Sequence, residues 1–177
     1  MRIAVAVLLL LTGCAAEGSM RTPIQTDKAP KPIGPYSQGI LSGDFIFVAG
    51  QGCANPATGK LELGDVTSET KRTFENVKAI LEAAGSSMDK VVKCNVYLRD
   101  IKDFAAMNEV YKTYFTAPYP ARTTIQAGAL PGGIAVEIEG VHVSREGFNA
   151  SRRTRSPRRC RRGGRRPGSW SAPAAGP

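Results

Sequence analysis

Histidine is nearly absent: the 177-residue chain contains one, His142. A histidine-rich metal centre is therefore excluded. A Ser-His-Asp triad is possible in principle but has no motif to support it. His142 lies near the end of a strand-like run and reads as an ordinary strand histidine. The four cysteines, at positions 14, 53, 94 and 160, include no CxxC pair, so a structural zinc site lacks its ligand pattern. Acidic residues are missing from 151–177, which holds nine arginines. Removing those nine from the 24 Lys and Arg leaves 15, against 15 Asp and Glu, in residues 1–150. The net charge of +9 thus belongs to the tail. The foldable part is near neutral, and its charge gives no argument for a nucleic-acid surface.

The wholly apolar run Ile3–Leu11 follows Arg2 and is too short to span a bilayer as a helix. It reads as an export signal over residues 1–13. The sequence Leu11-Thr12-Gly13-Cys14 resembles a bacterial lipobox, which predicts lipid on Cys14 and anchorage at the cell envelope. A start at Met20 would instead leave the protein in the cytoplasm. Residues 14–27 read as a tether and 28–145 as the folded domain. Residues 146–177 read as a disordered Arg-rich tail. That tail could bind nucleic acid or anionic lipid non-specifically, or be a frame-shifted ending without function.

Within the domain, Phe45–Ala49 is aromatic and β-branched and reads as a strand, with Gly39–Leu41 pairing to it across Ser42-Gly43-Asp44. Val66–Ala84 reads as a helix with Asp65 as N-cap and Gly85 past its end. Thr70, Phe74, Val77, Ile80, Leu81 and Ala84 form its apolar stripe, and Glu69 is grouped with a solvated charged face. In Val91–Leu98, alternation puts Val92, Cys94, Val96 and Leu98 on one face, with Cys94 as a small buried residue. Asp103–Phe115 reads as a second helix buried through Phe104, Met107, Tyr111, Tyr114 and Phe115. The order of elements predicts an α+β domain with two helices on one face of a mixed sheet.

The most informative stretch is Tyr119–Val143. It holds two strand-like runs, Ala121–Gly128 and Ala135–Val143, around the turn signal Pro131-Gly132-Gly133. Arg122 begins the first run. Glu137 and Glu139 share one face of the second. Paired as a hairpin, the two runs would bring a guanidinium and a carboxylate towards one end of a sheet, as a site for a small anion.

Several segments together resemble the RidA/YjgF family. They include Ile33-Gly34-Pro35-Tyr36-Ser37-Gln38-Gly39, Val48-Ala49-Gly50-Gln51, Asn76 to Gly85, Met107-Asn108-Glu109-Val110-Tyr111, Tyr119-Pro120-Ala121-Arg122 and Val136-Glu137-Ile138-Glu139. The resemblance covers roughly Thr22–Val143. It implies a chorismate-mutase-like α+β fold assembled as a homotrimer with clefts between subunits. It also implies hydrolysis of enamines and imines such as 2-aminoacrylate to 2-keto acids and ammonia, with no metal or organic cofactor. By the same resemblance, Arg122 holds the substrate carboxylate and Glu137 serves the reacting carbon. Tyr36, Ala49, Gly50, Asn108 and Thr124 would line or support the cleft, Thr124 through its backbone. Ala49 stands where many relatives carry serine or threonine, which removes a hydroxyl. Three alternatives stay open: a carboxylate-binding or protein-shielding trimer, RNA cleavage under the family's endoribonuclease label, and an Arg122–Glu137 ion pair that merely stabilises the trimer interface.

Overall fold

The computed structural model describes residues 21–143; the signal segment, Cys14 and the Arg-rich tail lie outside the described residues. Six strands and two helices follow in the order β1 (Thr22–Ile24), β2 (Gly39–Ser42), β3 (Phe45–Gln51), α1 (Val66–Ala83), β4 (Val91–Leu98), α2 (Phe104–Tyr114), β5 (Ala121–Gln126) and β6 (Val136–Val143). They form one sheet in the spatial order β1-β2-β3-β6-β4-β5. The architecture is the expected mixed α+β fold. β1 falls within the stretch read as tether, where Thr22–Ile24 pairs with Gly39–Leu41.

β4 and β5 are parallel and joined through α2; the other adjacent pairs are antiparallel. Parallel neighbours need a crossover, and α2 supplies it. The last strand, β6, then slots between β3 and β4. This corrects the hairpin expected of Ala121–Gly128 and Ala135–Val143. The nine residues 127–135 carry the chain past the end of β4, whereas hairpin loops usually take about 2–5 residues. Two bonds fix that passage: Ala127 N–H donates to the Leu98 carbonyl at 2.9 Å, and Arg99 N–H to the Ala135 carbonyl at 2.9 Å. Gly132 and Gly133 do turn the chain, with φ of 67° and 74°.

α1 starts where Asp65 accepts from Ser68 N–H at 2.7 Å. Its buried stripe of Phe74, Val77, Ile80 and Leu81 packs with Met107, Val110 and Tyr111 of α2 against Ile46, Val48, Val96, Leu98, Val136 and Ile138 of the sheet. Phe74 is the centre, stacked on Tyr114 at 4.6 Å and meeting Tyr111 and Phe115 edge-on at 5.6 Å. Burying such side chains contributes roughly 1.5–3 kcal/mol each.

Three side chains depart from the alternation. Glu69 is 1% exposed, not on the solvated face. Its carboxylate accepts from Gly64 N–H at 3.0 Å and Ala135 N–H at 2.6 Å, so α1 holds the start of β6 directly. Val91 is buried while Val92 is 43% exposed, because the β4–β6 register slips between Val91 and Lys93. Phe104 is 39% exposed at the edge of α2. Cys94 is buried as expected, and His142 is fully buried.

The sheet face away from the helices carries Phe45 and Phe47 of β3, Glu137 and Glu139 of β6, and Asn95 and Tyr97 of β4. Phe45 and Phe47 remain 45% and 47% exposed there.

Candidate active site

The two halves of the expected site are built separately, on opposite faces of the sheet. The first half forms where β3 breaks register. Val48 pairs with Gly140 but Gln51 pairs with Ile138, so one extra residue is accommodated at Ala49–Gly50. Such bulges re-aim backbone beside functional sites. Ala49 N–H turns to the Gln38 carbonyl at 3.0 Å. Gln51 donates to the Ala49 and Gly50 carbonyls at 3.1 and 3.2 Å. Asn76, buried on α1, donates to the Gly52 and Ala54 carbonyls at 2.9 Å each. These bonds pin an irregular strand end that regular pairing would leave loose.

The Glu137 carboxyl lies directly on Gly50. A Cβ built at Gly50 would stand 2.9 Å from the Glu137 Cδ and closer still to Oε1. Only glycine leaves that space free. Glu137 is half-buried, and burial first, then the charge of Glu139, pushes its carboxyl above the usual carboxylate range. Glu139 accepts on Oε1 from Asn95 Nδ2 and from Tyr97 Oη, both at 2.9 Å. Burial and that carboxylate raise the Tyr97 phenol in turn, the Glu139 hydrogen bond being the larger cause.

The second half lies on the helix face at the outer edge of the sheet. Arg122 of β5 is in register with Cys94, whose side chain is in the core. Its guanidinium sits 4.5 Å from the Tyr111 ring centroid and 5.5 Å from that of Phe104, within cation–π range. Among the described residues it has no carboxylate partner. Arg122, Asn108, Tyr111, Lys112, Tyr119 and Pro120 line a cavity of about 310 Å³. The Tyr111 hydroxyl rests by the Cys94 thiol without a well-formed hydrogen bond, and its pKa is raised mainly by burial. Tyr111, Lys112 and Tyr119 were not expected at the site. Tyr111 could have been found, since Asn108 and Tyr111 are three residues apart on one helix and therefore neighbours.

The structure thus joins Ala49, Gly50 and Glu137 in one cluster and Asn108 and Arg122 in another. Arg122 and Glu137 do not converge within one copy of the chain, because β4 and the plane of the sheet lie between them. Thr124 follows Arg122 two positions along the same face, half-buried, with its Oγ1 unpartnered among the described residues. Tyr36 is 50% exposed on the loop before β2, where its Oη accepts from Ile33 N–H at 3.3 Å. Among the described residues no His, Cys, Asp and Glu side chains gather into a metal-binding set.

Fold and side chains together define a class: an α+β protein carrying an arginine stacked on a tyrosine and a partly desolvated carboxylate on separate sheet faces. Residues 26–143 match the family described as endoribonuclease L-PSP, and the chain belongs to that family, the RidA/YjgF family. It is 54% identical over 118 residues to a RutC family protein of Pyrococcus abyssi, covering 67% of this chain and 93% of that one. It is 48% identical over 124 residues to the 2-iminobutanoate/2-iminopropanoate deaminase of Capra hircus, covering 70% and 90%. The crystal structure of RidA from the Antarctic bacterium Psychrobacter superposes with a TM-score of 0.67 at 46% identity, covering 70% of this chain and 99% of that one.

Proposed function

We propose that the protein hydrolyses reactive enamines and imines of the 2-aminoacrylate type to 2-keto acids and ammonia, without a cofactor, as a homotrimer. In each cleft Arg122 of one copy faces Glu137 of the next. One observation carries the reading: within a copy the two groups sit on opposite faces of the sheet, so a single substrate reaches both only between copies. The Phe45 and Phe47 side chains on the open face supply apolar area for that contact. The relative named as an imine deaminase, at 48% identity, supports the reaction class.

The chemistry follows from the groups present. A planar guanidinium with its fork free takes a carboxylate through two parallel hydrogen bonds. Tyr111 and Phe104 hold its plane against α2. Glu137, holding a proton near neutrality more readily than an ordinary carboxyl, gives it to the imine nitrogen. The resulting carboxylate takes a proton from the water adding to the carbon. Glu137, protonated again by that water, gives its proton to the carbinolamine nitrogen, which leaves as ammonia, and takes the hydroxyl proton as the oxygen becomes the 2-keto group. Residues 1–13 and Cys14 extend the proposal to a lipid-anchored location at the cell envelope, read out by the intact mass of the mature protein. Binding of small carboxylates without turnover is the competing reading, motivated by export away from the usual sources of 2-aminoacrylate.

The test uses Arg122→Ala and Glu137→Ala, singly and co-refolded, with pyruvate release from 2-aminoacrylate as the signal. Each variant alone is expected to be inactive. In a 1:1 mixture about a quarter of the clefts receive both intact groups, so about a quarter of wild-type turnover returns. No recovery would refute the shared cleft. Wild-type protein that binds 2-keto acids yet releases no pyruvate would refute the hydrolase.

A further inference from the structure

The two glutamates of β6 are treated very differently by their surroundings. Asn95 is the register partner of Glu139, and Tyr97 that of Glu137. Tyr97 nevertheless sends its hydroxyl past its own partner to Glu139, whose Oε1 also accepts from Asn95. Glu139 therefore takes both neutral donors, which satisfy an anionic oxygen without cancelling its charge. Glu137 has no hydrogen-bond donor among the described residues and is pressed on Gly50. Two adjacent carboxyls whose environments diverge in this way take different proton-transfer roles.

We propose that Glu139, anchored by Asn95 and Tyr97 two positions along the same strand face, is a positioning residue whose charge tunes the neighbouring Glu137 for its role as the acid. The inference deepens the hydrolase reading and rests on it. Among the described residues of one copy, the charged and titratable side chains of β4 and the turn after it are engaged elsewhere. On β4, Lys93 Nζ donates to Thr123 Oγ1 at 2.8 Å and the Tyr97 hydroxyl is committed to Glu139. Arg99, just past β4, donates to the Gly133 carbonyl. β3 presents Ala49 and Gly50, which do not titrate. The cation brought by a second copy, Arg122, is answered by the substrate carboxylate in the proposed cleft, so the Glu137 titration is read with pyruvate bound. Burial and Glu139 both raise the Glu137 carboxyl, with no opposing group among its causes.

Glu139→Gln tests this, because the amide oxygen can still accept from Asn95 and Tyr97 while the charge is gone. Side chains two residues apart on one strand face are about 7 Å apart. For an effective dielectric between roughly 80 and 20, losing the charge lowers the Glu137 midpoint by about 0.4–1.7 pH units. Carboxyl ¹³C NMR titration of the assembled protein reads that midpoint, with Glu137→Gln assigning the signal. The alkaline limb of kcat/KM for 2-aminoacrylate is expected to fall by the same amount, and Glu139→Asp to restore most of it. An unmoved or raised midpoint in Glu139→Gln overturns the inference. The NMR midpoint needs no turnover: an inactive wild type would sink the hydrolase reading while the titration still decides the role of Glu139.

Discussion

Gly50→Ala is a one-carbon change placed at the closest approach of two site elements. The added Cβ would lie 2.9 Å from the Glu137 Cδ and nearer to Oε1, inside any ordinary carbon contact. Gly50 does not have positive φ, so alanine is not strained by the backbone there. The carboxyl must therefore move, by about 1 Å to regain normal contact. Misplacing a catalytic group by that distance costs about 10²-fold, or about 2.7 kcal/mol of barrier. Stability should change little. Overpacking costs about 1–3 kcal/mol in a closed core, but Glu137 is half-buried and can swing aside. Replacing glycine by alanine returns about 0.4–1 kcal/mol through the unfolded chain. The expected result is thus a ~100-fold lower kcat/KM for 2-aminoacrylate with a urea midpoint near wild type. The same change in a Glu137→Ala background removes the clash and should stabilise the protein by about 0.4–1 kcal/mol, measured as a double-mutant cycle. Wild-type turnover in Gly50→Ala, or the same stability effect of that change with and without the Glu137 side chain, would refute the contact.

Two further outcomes follow from the site and core. Burial lowers the His142 imidazole to about 4, below its unfolded value, so the unfolded chain takes up the proton first. The contribution is full above about pH 6.5 and fades as pH falls towards 4, amounting to roughly 2 kcal/mol between pH 7 and 4.5. Urea unfolding at those two pH values should show it, and His142→Leu should flatten the dependence by about one proton. Arg122→Lys keeps the charge but loses the fork and its stacking on Tyr111. One charge-assisted hydrogen bond fewer should raise KM more than tenfold, whereas an unchanged KM would argue against the carboxylate clamp.

The helices were legible because their apolar stripes repeat at 3.6 residues, and for α1 Asp65 and Gly85 do at its ends what their types predict. β2 to β6 were legible too, as was the β2–β3 pairing across Ser42-Gly43-Asp44, while β1 and the neighbours of β6 were not. Pro131-Gly132-Gly133 marks a real turn, yet nothing local says that β6 passes over the end of β4 instead of returning beside β5. Pairing is decided by the long-range competition for a place in the sheet. Glu69 was misread for a similar reason: its partners, Gly64 and Ala135, are backbone groups with no signature in side-chain periodicity. The Gly50 bulge was half visible in Gly50-Gln51-Gly52, but its contact with Glu137, 87 positions along, belongs to the register of β3 on β6. Arg122, Glu137 and Glu139 stand out in the sequence as charges in strand runs, and alternation puts the two glutamates on one face; family likeness added the supporting residues, and only the fold put Arg122 on the opposite face.

That division between faces has a chemical consequence. An arginine and a half-buried glutamate placed side by side in one chain would form an ion pair. The pair would occupy the fork that must bind the substrate and would draw the Glu137 carboxyl down towards full ionisation. Separated by the sheet, Arg122 stacks on Tyr111 and keeps its donors free, while Glu137 stays desolvated beside a like charge. In the proposed trimer the two would meet only across the cleft between copies, where the substrate carboxylate would answer the guanidinium. Glu137 then meets the imine end still able to give up a proton. Within one copy the sheet prevents that pair, and in the proposed trimer a ligand-free cleft in which Arg122 of one copy pairs with Glu137 of the next would be the inactive arrangement.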